Sequence, residues 1–363
     1  MARTSRRALL LGAGGSVAAT YGMNGVLTGD AASQDRRQDD QKVPLADDRL
    51  LVEYSFERLR DEVLSGGPPK DGIPSIDEPT FTGVADADQR LDPGDVVFGV
   101  AKGEDVKAYP QYVLVHHEIV NDALDGTPVS VTYCPLTGTA MGFERGETTF
   151  GVSGNLLNNN LVMYDRATDS RWPQMLATAI DGTHEGRSLR EFRLVWTTWE
   201  NWKTRHPETA VLSEDTGYLR DYGRDPYGTY NPRGGYYTSS NTLFERLRND
   251  DRYPSKKMVI GVRTGDGATA FVKDALRERG VIEGELAGTP VVAVYSPALD
   301  TAYVYHNPDG VSVSEADGEV VVDGDAYAPD DLPLDRAYAY DVMWFAWAGF
   351  YPNTRVYGGE TDG

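Results

Sequence analysis

Cys134 is the only cysteine in the 363-residue chain, and it ends the apolar run Val-Thr-Tyr-Cys at 131–134. His117 precedes it by 17 residues. A thiolate and an imidazole together suit a soft or borderline metal ion, of which copper is the natural choice. Met141 or Met163 could add a weak thioether ligand. One hypothesis is therefore a copper site formed by Cys134, His117 and Met141.

The same pair could instead carry out thiol catalysis. Cys134 would then be the nucleophile and His117 its general base, with Glu118 or Asn121 orienting the imidazole ring. A structural interpretation also exists, because an unpaired cysteine usually behaves as a small, inert apolar residue. The residue types alone leave these alternatives open.

A second polar group follows a strand predicted at Asn160–Tyr164. Tyr164, Asp165 and Arg166 lie at its end, and Trp172 comes shortly after. These side chains could line a pocket. An Asp–Arg pair in a turn, packed against a tryptophan, is the favoured interpretation.

The element that must position Cys134 is a predicted strand over Val129–Cys134. Strand alternation places the apolar residues 129, 131 and 133 on one face, and Ser130, Thr132 and Cys134 on the other. Because the face of Cys134 is polar, the pattern predicts that the thiol lines a cleft or an exposed face of a sheet.

An internal repeat organises the body of the chain. Residues 97–143 align without a gap with residues 259–305, and 15 of the 47 positions are identical. In the second copy Ser296 stands opposite Cys134, and Arg279 stands opposite His117. We therefore predict an α+β, β-rich fold in which a duplicated unit forms two antiparallel, sheet- or barrel-like halves with short helices. The candidate site belongs to the first copy only.

Composition shifts predict the boundaries of these parts. A flexible acidic linker is expected at 30–50, and a helix around 51–64 opens a lead-in at 51–94. The first repeat then covers 95–215 and the second, degenerate repeat covers 257–359. The segment between them, 216–256, is rich in tyrosine, glycine and proline. Such an arm could stack a sugar-like ligand, but we expect it mainly to brace the two halves.

The N-terminus has the layout of a twin-arginine export signal. Arg6 and Arg7 precede about twenty uncharged residues that are rich in glycine and alanine. A signal at 1–29 predicts an extracytoplasmic protein, secreted or associated with the cell surface. An uncleaved leader would be the only means of membrane association.

Charge is the strongest compositional feature, with 56 acidic residues against 35 basic ones and a net charge of −21. Lysine is scarce, with eight residues in the chain. An acidic, lysine-poor surface stays hydrated where salt screens charge, so we predict a salt-adapted protein of haloarchaeal type. Nucleic acid is not an expected partner, because the sequence has no basic stripe to neutralise phosphates.

Several long motifs resemble one family. They include IPSIDEPTF at 73–81, HEIVND at 117–122, VTYCPLTGTAMGF at 131–143, FGVSGNLLNNNLVMYDR at 150–166 and TTWENWKTRHPETAVL at 197–212. In order and spacing they resemble the uncharacterised prokaryotic family catalogued as domain of unknown function 3179, over roughly 70–359. The resemblance implies no established activity, but it places weight on Cys134 and on His117 rather than His116. Members often carry a second cysteine where this chain has Thr137.

Taken together, the sequence predicts an exported protein that binds a metal ion or a small ligand at a Cys/His site in the first repeat. An enzyme with Cys134 as nucleophile is the first alternative. A structural or interaction module of the cell surface is the second.

Overall fold

The computed structural model describes residues 43–316 and 318–359. The described part of the chain is rich in β-strands, with a few short helices between them. None of its helices has both the length and the apolar character needed to cross a membrane. The predicted export signal at 1–29 lies outside the described residues, as does most of the predicted linker.

The strands before residue 215 are β1 (Leu64–Ser65), β2 (Phe81–Thr82), β3 (Val96–Lys102), β4 (Asp105–Pro110), β5 (Ile119–Leu124), β6 (Thr127–Cys134), β7 (Thr139–Glu144), β8 (Phe150–Leu157), β9 (Asn160–Asp165), β10 (Arg171–Pro173), β11 (Glu191–Phe192), β12 (Val195–Thr198) and β13 (Ala210–Leu212). The later strands are β14 (Gly228–Tyr230), β15 (Arg233–Gly235), β16 (Met258–Arg263), β17 (Ala268–Val272), β18 (Val281–Leu286), β19 (Thr289–Ser296), β20 (Thr301–His306), β21 (Val313–Ala316), β22 (Glu319–Val322), β23 (Asp325–Tyr327), β24 (Arg336–Ala337), β25 (Ala339–Met343) and β26 (Arg355–Tyr357). The helices are α1 (Phe56–Asp61), α2 (Val84–Ala87), α3 (Gln111–Leu114), α4 (Trp199–Arg205), α5 (Lys273–Arg279) and α6 (Trp344–Phe350), and a 3₁₀ turn covers Tyr236–Thr238.

The strands form several separate, open sheets. Those before residue 215 have the orders β12-β3-β4-β13-β2, β11-β7-β6-β5 and β1-β8-β9-β10, and those after it β25-β16-β17-β26, β18-β19-β20-β24, β14-β15 and β21-β22-β23. None of these sheets closes on itself within the described residues, so the barrel-like form predicted from the sequence is wrong. Several outer strands, among them β11 and β24, are only two residues long, which leaves little backbone to pair around a closed ring.

Two-residue turns set the register of the central hairpins. Asp125 and Gly126, with φ of 49° and 71°, join β5 to β6. Ala287 and Gly288, with φ of 51° and 82°, join β18 to β19 in the same way. Such turns match the right-handed twist of the flanking strands. Leu124 therefore pairs with Thr127, and the register carries through to Ile119 opposite Thr132.

The N-terminal lead-in differs from its prediction in two places. The helix expected around 51–64 is shorter, because Ser55 caps the helix at its start and accepts a hydrogen bond from the Arg58 amide. The linker predicted to be flexible over 30–50 is anchored at two points of its described portion, while residues 47–49 are exposed. Val43 is fully buried, and Leu45 forms a β-bridge with Leu189. These two apolar residues anchor a segment whose overall composition is polar.

Both faces of β6 are covered by core. Val131 and Tyr133 pack with Phe98 and Trp196, whereas Cys134 belongs to the larger core cluster on the opposite side. The predicted alternation of the strand is therefore confirmed. The predicted exposure of its second face is wrong, because a neighbouring layer covers it.

Candidate functional site

The thiol of Cys134 is deeply buried, with 1% of the residue exposed. Its Sγ donates a long, 3.5 Å hydrogen bond to the carbonyl oxygen of Asn159. Burial, with a smaller contribution from the charge of Glu118, raises the pKa of Cys134 to about 11. Because the thiolate is the nucleophile and the metal ligand, a thiol that stays protonated at neutral pH is chemically quiet.

The polar neighbours of Cys134 on its strand are satisfied by buried hydrogen bonds. Ser130 Oγ donates to Asn121 Oδ1 at 2.7 Å, and Thr132 Oγ1 donates to the carbonyl of Met141 at 2.8 Å. Thr132 also accepts from Gln174 Nε2 at 2.8 Å. A polar strand face can therefore be interior, since each group keeps a partner after leaving water.

His117 is also fully buried, and both of its ring nitrogens are engaged. Nδ1–H donates to the carbonyl of Pro74 at 2.8 Å, so Nε2 accepts from the hydroxyl of Tyr222 at 2.7 Å. Burial lowers the pKa of His117 to about 4. Cys134 and His117 are not hydrogen-bonded to each other, and each has its own partners.

Glu118, next in the chain, is the titratable group whose charge acts on the thiol. Its φ is 58°, in the left-handed region, and its carbonyl accepts from the Tyr133 amide at 2.8 Å. The carboxyl is buried, which raises the pKa of Glu118 to about 8. Burial is the main cause that raises the pKa values of Tyr227 and Tyr236. The charges of Glu118 and Cys134 raise the pKa of Tyr227 further, and the charge of Cys134 does the same for Tyr236. The two tyrosines come from the arm, and the sequence did not single them out.

The donor set of the copper hypothesis is therefore not assembled as a ligand shell. The His117 nitrogens already have partners, and Met141, like Met163, is a fully buried core residue. Among the described residues no group of three or more His, Cys, Asp or Glu side chains is placed to hold a metal ion. These observations do not favour a metal at Cys134.

Asn121 holds neighbouring strands together. Its Nδ2 donates to Asp77 Oδ1 at 2.6 Å and to the carbonyl of Phe150 at 2.9 Å. Its Oδ1 accepts from the Phe150 amide at 3.0 Å, besides the Ser130 hydroxyl. The side chain therefore links β5, β6 and β8 and has no contact with His117.

Tyr164, Asp165, Arg166 and Trp172 divide into two structural groups. Asp165 is fully buried and accepts hydrogen bonds from the Thr168 amide at 2.6 Å and from Trp172 Nε1 at 3.0 Å, which closes a turn. Arg166 and Tyr164 instead bond Asp71, at 3.1 and 2.5 Å. The turn at Asp165 with its packing tryptophan agrees with the favoured interpretation, but Arg166 pairs with Asp71 and Asp77 rather than with Asp165.

A cavity with a mixed polar and apolar lining lies between the two sets of sheets and is called here the seam cavity. It has a volume of 620 Å³. Its lining is formed mainly by the start of β3, the end of β12, the arm, the start of β16 and α5. The aromatic, hydroxyl-bearing and charged residues of the lining include Trp196, Thr197, Tyr230, Arg233, Lys256, Lys257, Lys273, Asp274, Arg277, Asp300 and Asp341. Tyr230 stacks on Tyr237 at 4.0 Å and meets the Trp196 ring edge-on at 5.4 Å, so one wall is aromatic.

Positive charge is concentrated in this cavity. Five basic and three acidic side chains line it, a local balance of 5 − 3 = +2 in a chain whose net charge is −21. Three of the eight lysines of the chain are among them. Lys256-Lys257 and Lys273 lie within 18 residues of one another in the sequence, and that clustering is the signal from which this site could have been predicted.

Lys256 is the last residue of the arm, and it also lines the cavity. It is 7% exposed, and its Nζ donates to the carbonyls of Tyr236 and Asn241 at 2.8 and 3.1 Å. Burial, together with the charges of Arg246 and Arg233, lowers the pKa of Lys256 to about 8. Tyr236 reaches in the other direction and donates to the carbonyl of Leu136 at 2.8 Å. The arm therefore bridges the loop after Cys134 and the seam cavity.

Thr197 is the second unusual residue of the lining. It is 2% exposed, and its Oγ1 has no hydrogen-bond partner within the described structure. A buried hydroxyl without a partner is destabilising, and such groups are uncommon in folded proteins.

The described residues therefore form a β-rich protein whose open sheets flank a cavity with an excess of basic side chains. The chain belongs to the family DUF3179, described as a protein of unknown function, whose model matches residues 70–354. No match was found among curated proteins or among solved structures.

Proposed function

We propose that this protein is an exported, salt-adapted binding protein whose small ligand occupies the seam cavity. The observation that carries the proposal is the 620 Å³ cavity itself, whose lining combines an aromatic wall with an excess of basic side chains. Ligand sites are concave, combine aromatic walls with a few polar groups, and often lie between structural units. Trp196, Tyr230 and Thr197 give the cavity that character.

Thiol catalysis has less support than ligand binding. A nucleophilic cysteine needs a lowered pKa and access to its substrate. Cys134 has a raised pKa and 1% exposure, and it does not line the seam cavity. The geometry therefore favours a non-enzymatic function for the thiol.

We also propose that the two sets of sheets arose by duplication. The proposal is supported by matching strand neighbours: β3 lies between β4 and β12, and β16 lies between β17 and β25. Gly99 and Gly261 occupy equivalent positions on these strands and lie against the rings of Trp202 and Trp347, where a Cβ would overlap the indole. On this proposal the seam cavity opens at equivalent ends of the two copies, and of its three lysines Lys257 and Lys273 belong to the second copy, whereas Lys256 belongs to the arm.

Export and salt adaptation remain proposals from the sequence. Arg6-Arg7 with the uncharged run after them supports twin-arginine export, and the net charge of −21 supports a high-salt environment. A fusion of residues 1–42 to a reporter should be exported, and replacing both arginines with lysine should retain the reporter in the cytoplasm.

The binding proposal is tested by filling the cavity. The full chain, purified in molar potassium chloride, is screened by thermal shift against a library of neutral, anionic and cationic small molecules. Thr238, an exposed residue of the arm that lines the seam cavity, is replaced by tryptophan. Hits that bind in the cavity should lose their effect in Thr238→Trp.

Thr229 provides the matched control, because it is also exposed on the arm but lines a neighbouring cavity instead. Thr229→Trp should keep the hits. The proposal is contradicted if no compound stabilises the wild type, or if every hit is unaffected by Thr238→Trp.

A further inference from the structure

We propose that the ligand of the seam cavity is a small oxyanion, a carboxylate or a phosphate, bound by Arg233 and Lys256. The inference rests on the proposed binding function and adds the chemical class of the ligand. It follows from the way in which the charges of the cavity are paired.

All three carboxylates of the lining are already committed. Asp341 accepts from Lys273 at 2.5 Å, and Asp274 accepts from Lys257 at 2.5 Å and from Arg277 at 2.7 Å. Asp300 accepts from Arg277 at 2.7 Å. These pairs neutralise most of the charge contributed by the start of β16 and by α5.

Arg233 and Lys256 have no such partners. Among the described residues neither forms an ion pair with a carboxylate. Arg233 Nη2 makes only a long, 3.5 Å contact with the carbonyl of Lys256, and Lys256 bonds two carbonyls. Both side chains line the cavity, and they account for its excess of two positive charges.

The environment of Lys256 makes an uncompensated ammonium costly. The group is buried, and its charged neighbours, Arg246 and Arg233, have the same sign. Burial of a charge without an opposite charge is unfavourable, and like charges add to the cost. An anion between Arg233 and Lys256 would relieve both effects. The bound anion should in turn favour the protonated form of Lys256.

Arg233 has the geometry to select an oxyanion over chloride. Its guanidinium is exposed in the cavity and presents a planar fork that can donate two parallel hydrogen bonds to a carboxylate or a phosphate. A carboxylate or a phosphate offers one oxygen to each donor of this fork, whereas chloride offers a single acceptor atom. In high salt, long-range attraction is screened within about 3 Å at 1 M, so these direct contacts must decide the selectivity.

The test is isothermal titration of the full chain with sodium phosphate and, separately, with sodium citrate, in potassium chloride at constant ionic strength. At least one of the two should bind. Arg233→Gln and Lys256→Gln should each weaken that binding by about tenfold or more, as expected for the loss of a charge-assisted hydrogen bond of roughly 1.5–3 kcal/mol. Arg233 is exposed, so Arg233→Gln keeps the test valid if Lys256→Gln fails to fold.

Lys102→Gln is the control, since Lys102 is paired with Glu144 at 3.7 Å and does not line the seam cavity. It should bind as the wild type does. Phosphate binding alone would assign a phosphate ligand, and citrate binding alone a carboxylate. Binding that survives Arg233→Gln and Lys256→Gln would overturn the inference, as would the absence of binding by both anions. If neutral compounds still bind in a manner sensitive to Thr238→Trp, the oxyanion inference fails while the binding function stands.

Discussion

Lys256 and Tyr236 are joined twice: the Lys256 Nζ lies 3.2 Å from the centre of the Tyr236 ring and donates a 2.8 Å hydrogen bond to the Tyr236 carbonyl. This contact joins two parts of the tyrosine-rich arm, just before the start of β16. Tyr236 also donates to the carbonyl of Leu136, and Arg252 Nη1 donates to the carbonyl of Thr354 at 3.1 Å, so the arm braces both parts of the chain. The arm thus has two roles: it braces the chain, as expected from the sequence, and it lines the seam cavity.

Cys134 should be unreactive in the folded protein. With a pKa of about 11, roughly one thiol in a thousand is ionised at pH 8, and the residue is 1% exposed. Iodoacetamide followed by mass spectrometry should label native protein far more slowly than urea-unfolded protein. The chain has no other cysteine, so the readout needs no background correction. Rapid labelling of native protein near neutral pH would contradict this and revive the nucleophile hypothesis.

Glu118 should make the protein less stable as the pH rises. Its pKa is raised from 4.5 to about 8 in the folded state, so between these values the folded protein holds a proton that the unfolded chain has lost. The stability contributed by this proton is fully present below pH 4.5 and is lost as the pH rises through 8. Glu118→Gln, which cannot ionise, should flatten the fall in the free energy of unfolding.

Urea unfolding at pH 5 and pH 8.5 measures this slope. The exposed Glu104 offers a matched control, and Glu104→Gln should leave the wild-type slope intact. An equally steep fall in Glu118→Gln would show that the buried carboxyl is not the group responsible.

Because of His117, the folded protein should become less stable as the pH falls below 6.5. Its pKa falls from 6.5 to about 4 on folding, so the unfolded chain binds a proton first as the pH drops. The free energy of unfolding should therefore decrease between pH 6.5 and pH 4. His117→Gln should be less stable at pH 7, because contacts with Pro74 and Tyr222 are disturbed, but its acid slope should be shallower. Unfolding curves across this pH range measure the change in the free energy of unfolding with pH. His306→Gln, at a partly exposed position, is the control. Equal slopes in the wild type and both variants would refute the assignment of the acid slope to His117.

Salt should stabilise the folded chain. A net charge of −21 creates repulsion that ions screen, with the screening length falling from about 10 Å at 0.1 M to about 3 Å at 1 M. The midpoint of thermal unfolding should rise as potassium chloride increases across this range. Sucrose, which is uncharged, separates screening from general exclusion effects. A midpoint that is indifferent to salt would argue against salt adaptation.

Part of this architecture could be predicted from local sequence. The Asp125-Gly126 turn, the alternation of β6 and the strand at Asn160–Asp165 follow from rules that act over a few residues. The favoured interpretation of Asp165 and Trp172 was also local, since the two are seven residues apart and bond directly at 3.0 Å.

Other features were decided only by tertiary structure. The polar face of β6 predicted an accessible thiol, but burial depends on which layer covers a strand, and here Gln174 and Asn121 satisfy its hydroxyls from other strands and loops. Likewise His117 and Glu118 are adjacent in sequence, but their side chains lie in different surroundings. The backbone has a positive φ at Glu118, where the two side chains diverge. By itself the sequence determined the acidic character, the strands and their turns, and the family resemblance. The seam cavity required the folded chain, because its lining brings together segments far apart in sequence, from the start of β3 to β25, and leaves Arg233 and Lys256 without a carboxylate.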